Sequence, residues 1–454
     1  MDRKPDHQPE QGNLPPEPII EADVEEAMER IAALHPTDLA RLFKALDRER
    51  WPELLGRLGV DRTSRLMEEL PDYLREELAE HLGDDRLARI IEEMTSDDAA
   101  DVLADLPEEM ASEVIEALPR ADRQEVEVVL GHAEDSAGRL MQVELVAVHE
   151  RTTVDEAVEA IRRSPDDAGA IHAVYVVDGG HRLVGVVQLV QLLLARGEEP
   201  INALMDTGFH AATPDVDRER VAQIFCRYDL LELPVVERSG RLLGRILLDD
   251  VVDVLELEAD EDIMHMVGVG HEEPELVYSD RKLRIATARL PWLLATMGGL
   301  VVSALLYWQF QLSFPHLLAL VPFIPVISAM GGNVGTQSST IVVRGFAIGR
   351  VDFRNLGRVI VRELLVGAMM GVACGVVTGI VATVWHHDAM LSVTVAVAMV
   401  TAISNAALVG VLVPYLFRWI GIDPAIAAGP LVTTLNDVLS AAIYYGVALL
   451  LIQR

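Results

Sequence analysis

The last third of the chain consists of long apolar runs separated by short polar segments. Five runs after Arg289 are each long enough to cross a bilayer, whose hydrocarbon core of roughly 30 Å takes about 20 helical residues. These runs are Leu290–Phe310, Leu317–Val343, Val359–Trp385, Leu391–Phe417 and Ala425–Ile452. The pattern therefore predicts an α-helical transmembrane bundle of five helices.

The first part of the chain has a different periodicity. Residues 20–135 are rich in leucine and in acidic residues, which recur at helical spacing. His-Pro or Leu-Pro pairs recur at Pro36, Pro71, Pro107 and Pro119, and proline suits the first position of a helix. These repeats predict an acidic helical N-domain folded as a superhelix of helical hairpins.

Residues 136–258 alternate between strand-like and helical runs. The predicted strands are Ala173–Val177, Val184–Val187, Leu233–Val236 and Leu243–Leu247, and the predicted helices are Val154–Arg163, Leu189–Ala195, Arg218–Cys226 and Val251–Leu257. The two halves echo each other, since Ile171–Val177 is followed by Gly185 and Leu231–Val236 by Gly244. This α/β pattern resembles a tandem CBS pair, a regulatory module that commonly binds adenine nucleotides.

The CBS-like segments depart from the nucleotide-binding pattern. In such modules a hydroxyl residue after the second strand, followed three positions later by Asp, often contacts ribose and phosphate. The second copy has Leu247 and Asp250 at these positions, and the first has Gln188 and Gln191. Because the hydroxyl is missing from both copies, the sequence puts ATP binding in doubt.

These patterns predict a multidomain chain. Its segments are a disordered tail (1–19), the acidic helical N-domain (20–135), CBS 1 (136–198), CBS 2 (199–258), a connecting helix (259–289) and the transmembrane domain (290–454). The fold class is thus a superhelical α-helical domain, an α/β tandem CBS pair, a connecting helix and a five-helix membrane bundle.

Charge is distributed very unevenly along the chain. The whole chain carries −33, and residues 291–454 hold seven basic and five acidic side chains, which leaves −35 for residues 1–290. Such an acidic half repels nucleic acid and concentrates cations around itself. We find no nucleophile–base pair and no P-loop, so the sequence does not indicate an enzyme.

The loops between the predicted spans indicate the orientation. Lys and Arg precede the first span and occupy the second-to-third and fourth-to-fifth connections, whereas the other two connections have none. By the positive-inside tendency, the N-terminus is cytoplasmic and five spans place the C-terminus outside, as in a multi-pass protein of the bacterial inner membrane. Cys226 and Cys374 imply no disulfide framework, in line with a reducing cytoplasm.

Polar side chains inside the apolar runs are the candidate ion ligands. Asp437 is the only carboxylate near the middle of a predicted span, where a charge usually faces a bundle interior or a water-filled path. Thr433 lies one turn earlier, and Asn333 and Asn405 lie inside the second and fourth spans. Carboxylate, amide and hydroxyl oxygens suit a hard divalent ion such as Mg²⁺. The alternative is an Asp437 that is protonated or paired with another helix.

Proline and glycine mark two of the spans. Pro322 and Pro325 precede the glycine-rich stretch Gly331–Gln337. Proline removes intrahelical donors and repeated glycine permits irregular backbone, and both are tolerated at membrane depth where a cavity or neighbouring helices satisfy the freed groups. The third span carries a glycine at every fourth position, namely Gly367, Gly371, Gly375 and Gly379. This spacing puts all four on one helix face and predicts close helix packing.

The acidic half offers two groups of candidate cation ligands. Asp97, Asp101 and Asp105 share a helix face, where like charges destabilise the helix unless a cation or a basic partner neutralises them. The second group lies in the acidic stretch just before the membrane half and comprises Asp250, Asp253, Glu258 and Asp262. In both places, carboxylates that are merely solvated are the alternative.

Three motifs carry a resemblance to a known family. They are Arg289–Trp292, Gly331–Gln337 and Gly429–Asp437. Together with the acidic helical domain and the CBS pair, they resemble the MgtE family of bacterial magnesium channels over nearly the whole chain. The resemblance implies a homodimer with one pore, in which Asp437 binds hydrated Mg²⁺. It also implies that Mg²⁺ between the cytosolic domains and the connecting helix holds the pore shut, with Asp423 helping to hold that closed form.

Two other functions remain compatible with the residues. A carrier of Co²⁺ or Mn²⁺, or one coupling Mg²⁺ to another ion, would use the same oxygen ligands. A membrane-anchored CBS sensor would not conduct at all, and Asp437 at mid-depth disfavours it because an anchor needs no charge there.

Overall fold

The computed structural model describes residues 31, 34–164, 171–267, 282–427 and 429–452 of the 454-residue chain. The chain forms two compact units, Met1–Val254 and Leu255–Arg454. The predicted tail (1–19) and residues 268–281 of the predicted connecting helix lie outside the described residues.

Short helices follow one another through the N-domain. They are α1 (Pro36–Ala45), α2 (Trp51–Arg57), α3 (Val60–Glu68), α4 (Asp72–Glu80), α5 (Asp84–Glu92), α6 (Ser96–Asp105), α7 (Glu108–Ala117) and α8 (Arg120–Leu130). Most of these helices pack on the helix two places earlier in the chain: α3 contacts α1, α5 contacts α3 and α8 contacts α6. Helix α4 does not follow this pattern. Apolar faces at helical spacing meet in one core, where Phe43, Trp51 and Leu66 are fully buried. The predicted α-helical superhelix is confirmed.

The prolines start these helices with a small difference from the prediction. Pro36 is the first residue of α1, but Pro71, Pro107 and Pro119 each lie one residue before a helix. An N-cap residue has extended backbone, and the fixed φ of proline is compatible with it. These three residues therefore end the preceding loop and do not form the first helical residue.

The CBS pair forms two small sheets flanked by helices. Its elements are β1 (Ala147–His149), α9 (Val154–Arg163), β2 (Ala173–Val177), β3 (Leu183–Gln188), α10 (Leu189–Leu194), α11 (Arg218–Tyr228), β4 (Glu232–Val236) and β5 (Leu242–Leu247). In the first sheet β1 is parallel to β2, and β2 is antiparallel to β3, with Tyr175 opposite Val186. In the second sheet β4 pairs antiparallel with β5. The predicted strands agree with the observed ones to within one residue at each end.

The acidic stretch after β5 is a helix. Helix α12 (Leu248–Met266) runs through the predicted boundary between CBS 2 and the connecting helix. The next described helix, α13 (Lys282–Ser313), begins well before the predicted start of the first span at Leu290. Helix α13 thus joins part of the predicted connecting helix to the first span without a break.

The second unit holds five described helices that are long and apolar enough to cross a membrane, as predicted. After α13 they are α14 (Ile324–Ala347), α15 (Leu356–His386), α16 (Ala389–Trp419) and α17 (Pro430–Ile452). Helix α16 packs against α14, α15 and α17, and α14 also packs against α17. Ala398, Ala402 and Ala406 on α16 are fully buried, because small side chains let these helices approach closely.

The glycine-rich stretch Gly331–Gln337 does not adopt the irregular backbone that its glycines permit. These residues lie inside the regular α-helix α14, and the irregularity comes earlier, in a 3₁₀ helix at Pro315–Phe323. The proline positions place the break, since proline cannot donate to the preceding turn. The glycines instead provide close contact: a Cβ at Gly335 would lie 3.1 Å from Val432 Cγ1 on α17.

The glycines of α15 pack as predicted. A Cβ at Gly371 would lie 2.9 Å from Cα of Val400, and one at Gly375 would lie 2.8 Å from the carbonyl oxygen of Ala396. Both neighbours are backbone atoms of α16. Only glycine allows the two helix axes to come this close.

Candidate cation sites

Asp437 lies where α17 packs against α14. The side chain is half-buried, and its Oδ1 accepts a hydrogen bond from the Ser328 hydroxyl on α14. No basic side chain pairs with Asp437 within the described residues. A carboxylate held by one hydroxyl, without a counter-ion, retains acceptor capacity for a cation.

Hydroxyl oxygens line the helix contact one turn away from Asp437. The Thr336 and Thr433 hydroxyls lie 3.3 Å apart and link α14 to α17. Each hydroxyl also lies within hydrogen-bond distance of a carbonyl four residues earlier, Thr336 at 3.0 Å from Gly332 and Thr433 at 3.1 Å from Gly429. Because a hydroxyl has one proton, one threonine donates to its carbonyl while the other donates across the helix contact. The predicted ligand Thr433 is therefore part of the same helix contact as Asp437.

The two predicted asparagines differ in their surroundings. Asn333 is exposed on the surface of α14, three residues before Thr336. Asn405 lies on α16, and its Nδ2 is buried without a hydrogen-bond partner in the part of the chain that the structure covers. No described contact joins Asn405 to Asp437, so the structure groups Asp437 and Thr433 and leaves Asn405 apart.

The acidic face of α6 is mostly neutralised by arginines. Arg139 Nε donates to Asp101 at 2.9 Å, and the other end of its guanidinium donates to the Ala100 carbonyl at 2.7 Å. Arg75 donates to Asp105 at 2.7 Å. Of the two ways of neutralising this face that the sequence allows, a cation or a basic partner, Asp101 and Asp105 have the basic partner.

Asp97 is the exception on that face. It is 5% exposed, and its Oδ1 has no hydrogen-bond partner among the described residues. Burial and the Asp98 and Asp250 carboxylates raise its pKa well above the ordinary value. Burial, Asp249 and Asp98 likewise raise the pKa of Asp250 to about 8. Facing carboxylates that are costly to ionise mark a place where a cation would stabilise the fold.

The fit of this acidic cluster to a metal ion can be judged from its ligands. Within the described ranges no three His, Cys, Asp or Glu side chains converge as a complete metal cage. Mg²⁺, however, usually keeps several waters and is held through one or two carboxylates. Asp97 and Asp250 can supply these two, with Asp98 and Asp249 as further charge.

The other predicted ligands lie along α12. Asp253 is exposed in the first unit and contributes to the raised pKa of Asp250. Glu258 and Asp262 are half-buried in the second unit, one turn apart on the same helix face. Asp253 therefore adds charge to the site at Asp250, whereas Glu258 and Asp262 belong to the membrane-proximal end.

Asp423 has a protein partner that the sequence did not reveal. Its Oδ2 lies 2.7 Å from Nδ1 of His265, near the end of α12, and Glu261 lies 3.7 Å from the other ring nitrogen. Burial lowers the pKa of His265, but the Asp423 hydrogen bond and the Glu261 and Asp262 charges outweigh it and raise the pKa. Asp423 thus connects the loop before α17 to α12 through a histidine.

Sequence reasoning missed Ser328, Arg139 and His265, which contact candidate ligands. Each contact spans a long stretch of chain: 109 residues from Ser328 to Asp437, 38 from Asp101 to Arg139 and 158 from His265 to Asp423. No local spacing links such pairs. A weak signal existed only for Ser328, a polar residue in an apolar run.

Comparison with known proteins follows the same division of the chain. The MgtE divalent cation transporter model matches residues 324–447, the MgtE intracellular N domain matches 34–135, and CBS domains match 137–198 and 201–257. The magnesium transporter MgtE of Bacillus subtilis is 32% identical over 418 residues, which is 92% of each chain. The chain belongs to the MgtE family.

Further relatives agree with this membership. The magnesium transporter MgtE of Thermus thermophilus is 38% identical over 73% of each chain. A crystal structure of the cytosolic domain of the Mg²⁺ channel MgtE in complex with ATP is 34% identical, with a TM-score of 0.50, and covers 52% of this chain and 97% of that one. The predicted family and the predicted fold class are both confirmed.

Proposed function

We propose that this MgtE family member conducts Mg²⁺ into the cell through the membrane bundle, and that cytosolic Mg²⁺ closes it. The observation that carries the proposal is Asp437, a half-buried carboxylate in the last span without a basic partner in the described chain. A structural carboxylate at that depth would be paired, whereas one that serves a passing cation must stay available. The relatives named magnesium transporters support Mg²⁺ as the ion.

The pore is completed by a second copy of the chain. Asn333 on α14 is exposed, and Leu431 and Leu435 on α17 are 37% and 40% exposed, on helices that also carry the Asp437 contact. A homodimer that covers these surfaces would bring two Asp437 carboxylates towards one axis. Two carboxylates can hold a hydrated divalent ion through its water shell.

The cytosolic sensor uses the acidic pair Asp97 and Asp250. Without Mg²⁺ their repulsion favours separation of the N-domain from the CBS pair, and bound Mg²⁺ favours the closed arrangement. Glu258 and Asp262 on α12, with Asp423 in the loop before α17, transmit this change to the pore. The ion shifts the equilibrium only by its difference in affinity between closed and open forms.

Orientation and driving force follow from the charge pattern. With the N-terminal half cytoplasmic and the C-terminus outside, entry of a divalent ion gains about 4.6 kcal/mol from a membrane potential of 100 mV.

ATP has no part in this proposal, although the related cytosolic domain was crystallised with it. Here Asp250 accepts a hydrogen bond from the N–H of Leu247, the last residue of β5, at 3.3 Å and faces carboxylates, which would repel a phosphate.

The test is ion uptake into proteoliposomes by wild type and Asp437→Asn. Attraction between a carboxylate and a divalent ion is worth about 2–6 kcal/mol at hydrated distances, so Mg²⁺ uptake should fall at least tenfold. Asp388→Asn is the matched control, because Asp388 caps α16 through Met390 and Leu391 N–H groups and Asn caps equally well. Unchanged uptake in Asp437→Asn would refute the permeation route.

The same experiment separates the alternatives. Uptake of Co²⁺ or Mn²⁺ in preference to Mg²⁺ would indicate a carrier of other divalent ions. An absence of flux in the wild type as well would indicate a membrane-anchored sensor. Dependence of uptake on a counter-transported ion would indicate a coupled carrier.

A further inference from the structure

One contact to the pore carboxylate comes from a side chain that no sequence motif singles out. Ser328 on α14 donates a hydrogen bond to Oδ1 of Asp437 on α17. The Tyr307 hydroxyl on α13 also contacts the Ser328 hydroxyl. Ser328 therefore lies between the first span and the carboxylate, in a narrow crevice that Ser440 and Tyr444 also line.

The packing leaves the two oxygens of Asp437 in different environments. Asn436 and Ser440, on the buried face of α17, are 0% and 2% exposed, whereas Asp437 is half-buried. Oδ1 is directed to α14 by Ser328, and Oδ2 has no such partner among the described residues. The carboxylate is thus held by one hydrogen bond through Oδ1, and Oδ2 is the oxygen without a described hydrogen bond.

We infer that Ser328 is a positioning residue that makes Asp437 a one-oxygen acceptor and thereby favours hydrated Mg²⁺ over Ca²⁺. This inference rests on the proposed role of Asp437 in permeation. Ca²⁺ loses water readily and can bind a carboxylate through one or both oxygens, whereas Mg²⁺ keeps several waters and needs only an acceptor for them. A hydroxyl that ties one oxygen to the neighbouring helix opposes the two-oxygen mode and leaves the water-mediated mode intact.

The hydroxyl itself is the group that matters. Serine and threonine both offer an O–H donor at the same distance from the backbone, while alanine offers none. In Ser328→Ala the Asp437 side chain is free to rotate and can turn both oxygens towards the ion. In Ser328→Thr the hydrogen bond can re-form.

The experiment measures Ca²⁺ and Mg²⁺ uptake separately in proteoliposomes that contain the full-length protein. In Ser328→Ala the Ca²⁺-to-Mg²⁺ uptake ratio should rise about fivefold or more. This expectation follows from the strength of a hydrogen bond to a charged group, which the variant lacks. Ser328→Thr should restore the wild-type ratio. The control is Ser339→Ala on the same helix, whose fully buried hydroxyl has no described partner and should leave the ratio unchanged.

The outcomes decide the inference separately from the proposed function. An unchanged Ca²⁺-to-Mg²⁺ uptake ratio in Ser328→Ala would overturn the inference. An equal rise of this ratio in Ser328→Ala and Ser328→Thr would also overturn it, because the effect would then not depend on the hydroxyl. If Ser328→Ala does not reconstitute, Ser328→Cys, whose thiol is a weak donor, replaces it and should raise the ratio. Asp437→Asn tests the proposed role of Asp437 in permeation. Full Mg²⁺ uptake by this variant would refute the proposed pore, independently of the results for the Ser328 variants.

Discussion

Neutralising Asp250 should stabilise the cytosolic half in Mg²⁺-free buffer and weaken its response to Mg²⁺. The pKa of Asp250 is raised from 3.8 to about 8 by burial and by neighbouring carboxylates. A folded-state pKa above the unfolded one means that the folded state binds more protons. Stability therefore falls as pH rises through this interval.

The size of the effect follows from that interval. At pH 7 the solution is about three pH units above the ordinary pKa of 3.8. Each unit corresponds to about 1.4 kcal/mol, so the raised pKa of Asp250 lowers the free energy of unfolding by about 4 kcal/mol. Burial is the largest cause of this cost, and the Asp249 and Asp98 carboxylates add repulsion. Because Asn is still a buried polar side chain, Asp250→Asn should recover about half of the cost, or about 2 kcal/mol. Mg²⁺ at a hundred times its dissociation constant should give the wild type about 2.7 kcal/mol, and should give the variant much less.

Hydrogen exchange of the full-length protein in detergent micelles measures both quantities. Peptides from α6 report the opening of this helix, with EDTA or Mg²⁺ in the buffer. Asp61→Asn is the control, since Asp61 forms only an exposed i,i+4 pair with Arg65 and should change little. Faster α6 exchange in Asp250→Asn with EDTA, or undiminished protection by Mg²⁺, would refute the cation site.

Three further outcomes are expected. Arg139→Ala removes two of the hydrogen bonds between α6 and the segment that leads into β1 of the CBS pair, so α6 should open about 2–3 kcal/mol more easily in EDTA, as measured by the same exchange. Gly331→Ala places a Cβ 2.5 Å from Nδ2 of Asn436, so thermal unfolding in detergent should reveal a loss of about 1–3 kcal/mol. Because the raised pKa of Asp250 makes protons compete with Mg²⁺, Mg²⁺ titrations should show affinity rising from pH 6 to pH 8.

Each of these has a matched control and a contrary result. Arg238→Ala removes an exposed ion pair with Asp215 and should leave the hydrogen exchange of α6 unchanged. If it accelerated this exchange as much as Arg139→Ala, the hydrogen bonds of Arg139 would not be what stabilises α6. A Cβ at Gly446 would meet open space among the described residues, so Gly446→Ala should be tolerated, and equal loss at both glycines would argue against the close contact. A Mg²⁺ affinity that does not vary with pH would show that protons and Mg²⁺ do not share Asp250.

Much of the fold was available from the sequence. The five spans follow from run length, because an apolar stretch of that size has few other stable environments. The strand Ala173–Val177 and the helix Val154–Arg163 were predicted with the bounds that the structure has, since alternation and helical spacing are local properties. The four-residue glycine spacing of α15 likewise predicted its packing face.

The backbone of the second span was not predictable in the same way. Glycine permits irregular backbone but does not require it, and Gly331–Gln337 stays helical. Neighbouring helices decide between these outcomes, because α17 packs closely where a side chain would otherwise stand. The break falls at Pro315–Phe323, where proline removes backbone donors.

What the sequence determined by itself was which residues are chemically unusual: a carboxylate in the last apolar run, and three aspartates on one face of α6. Only the tertiary structure decided their partners. In the structure Asp101 accepts a hydrogen bond from Arg139, and Asp437 accepts one from Ser328. Asp97 has no basic partner among the described residues. The physical reason is range. Helical spacing fixes which side chains share a face, but charge neutralisation depends on elements tens to hundreds of residues away that packing brings together.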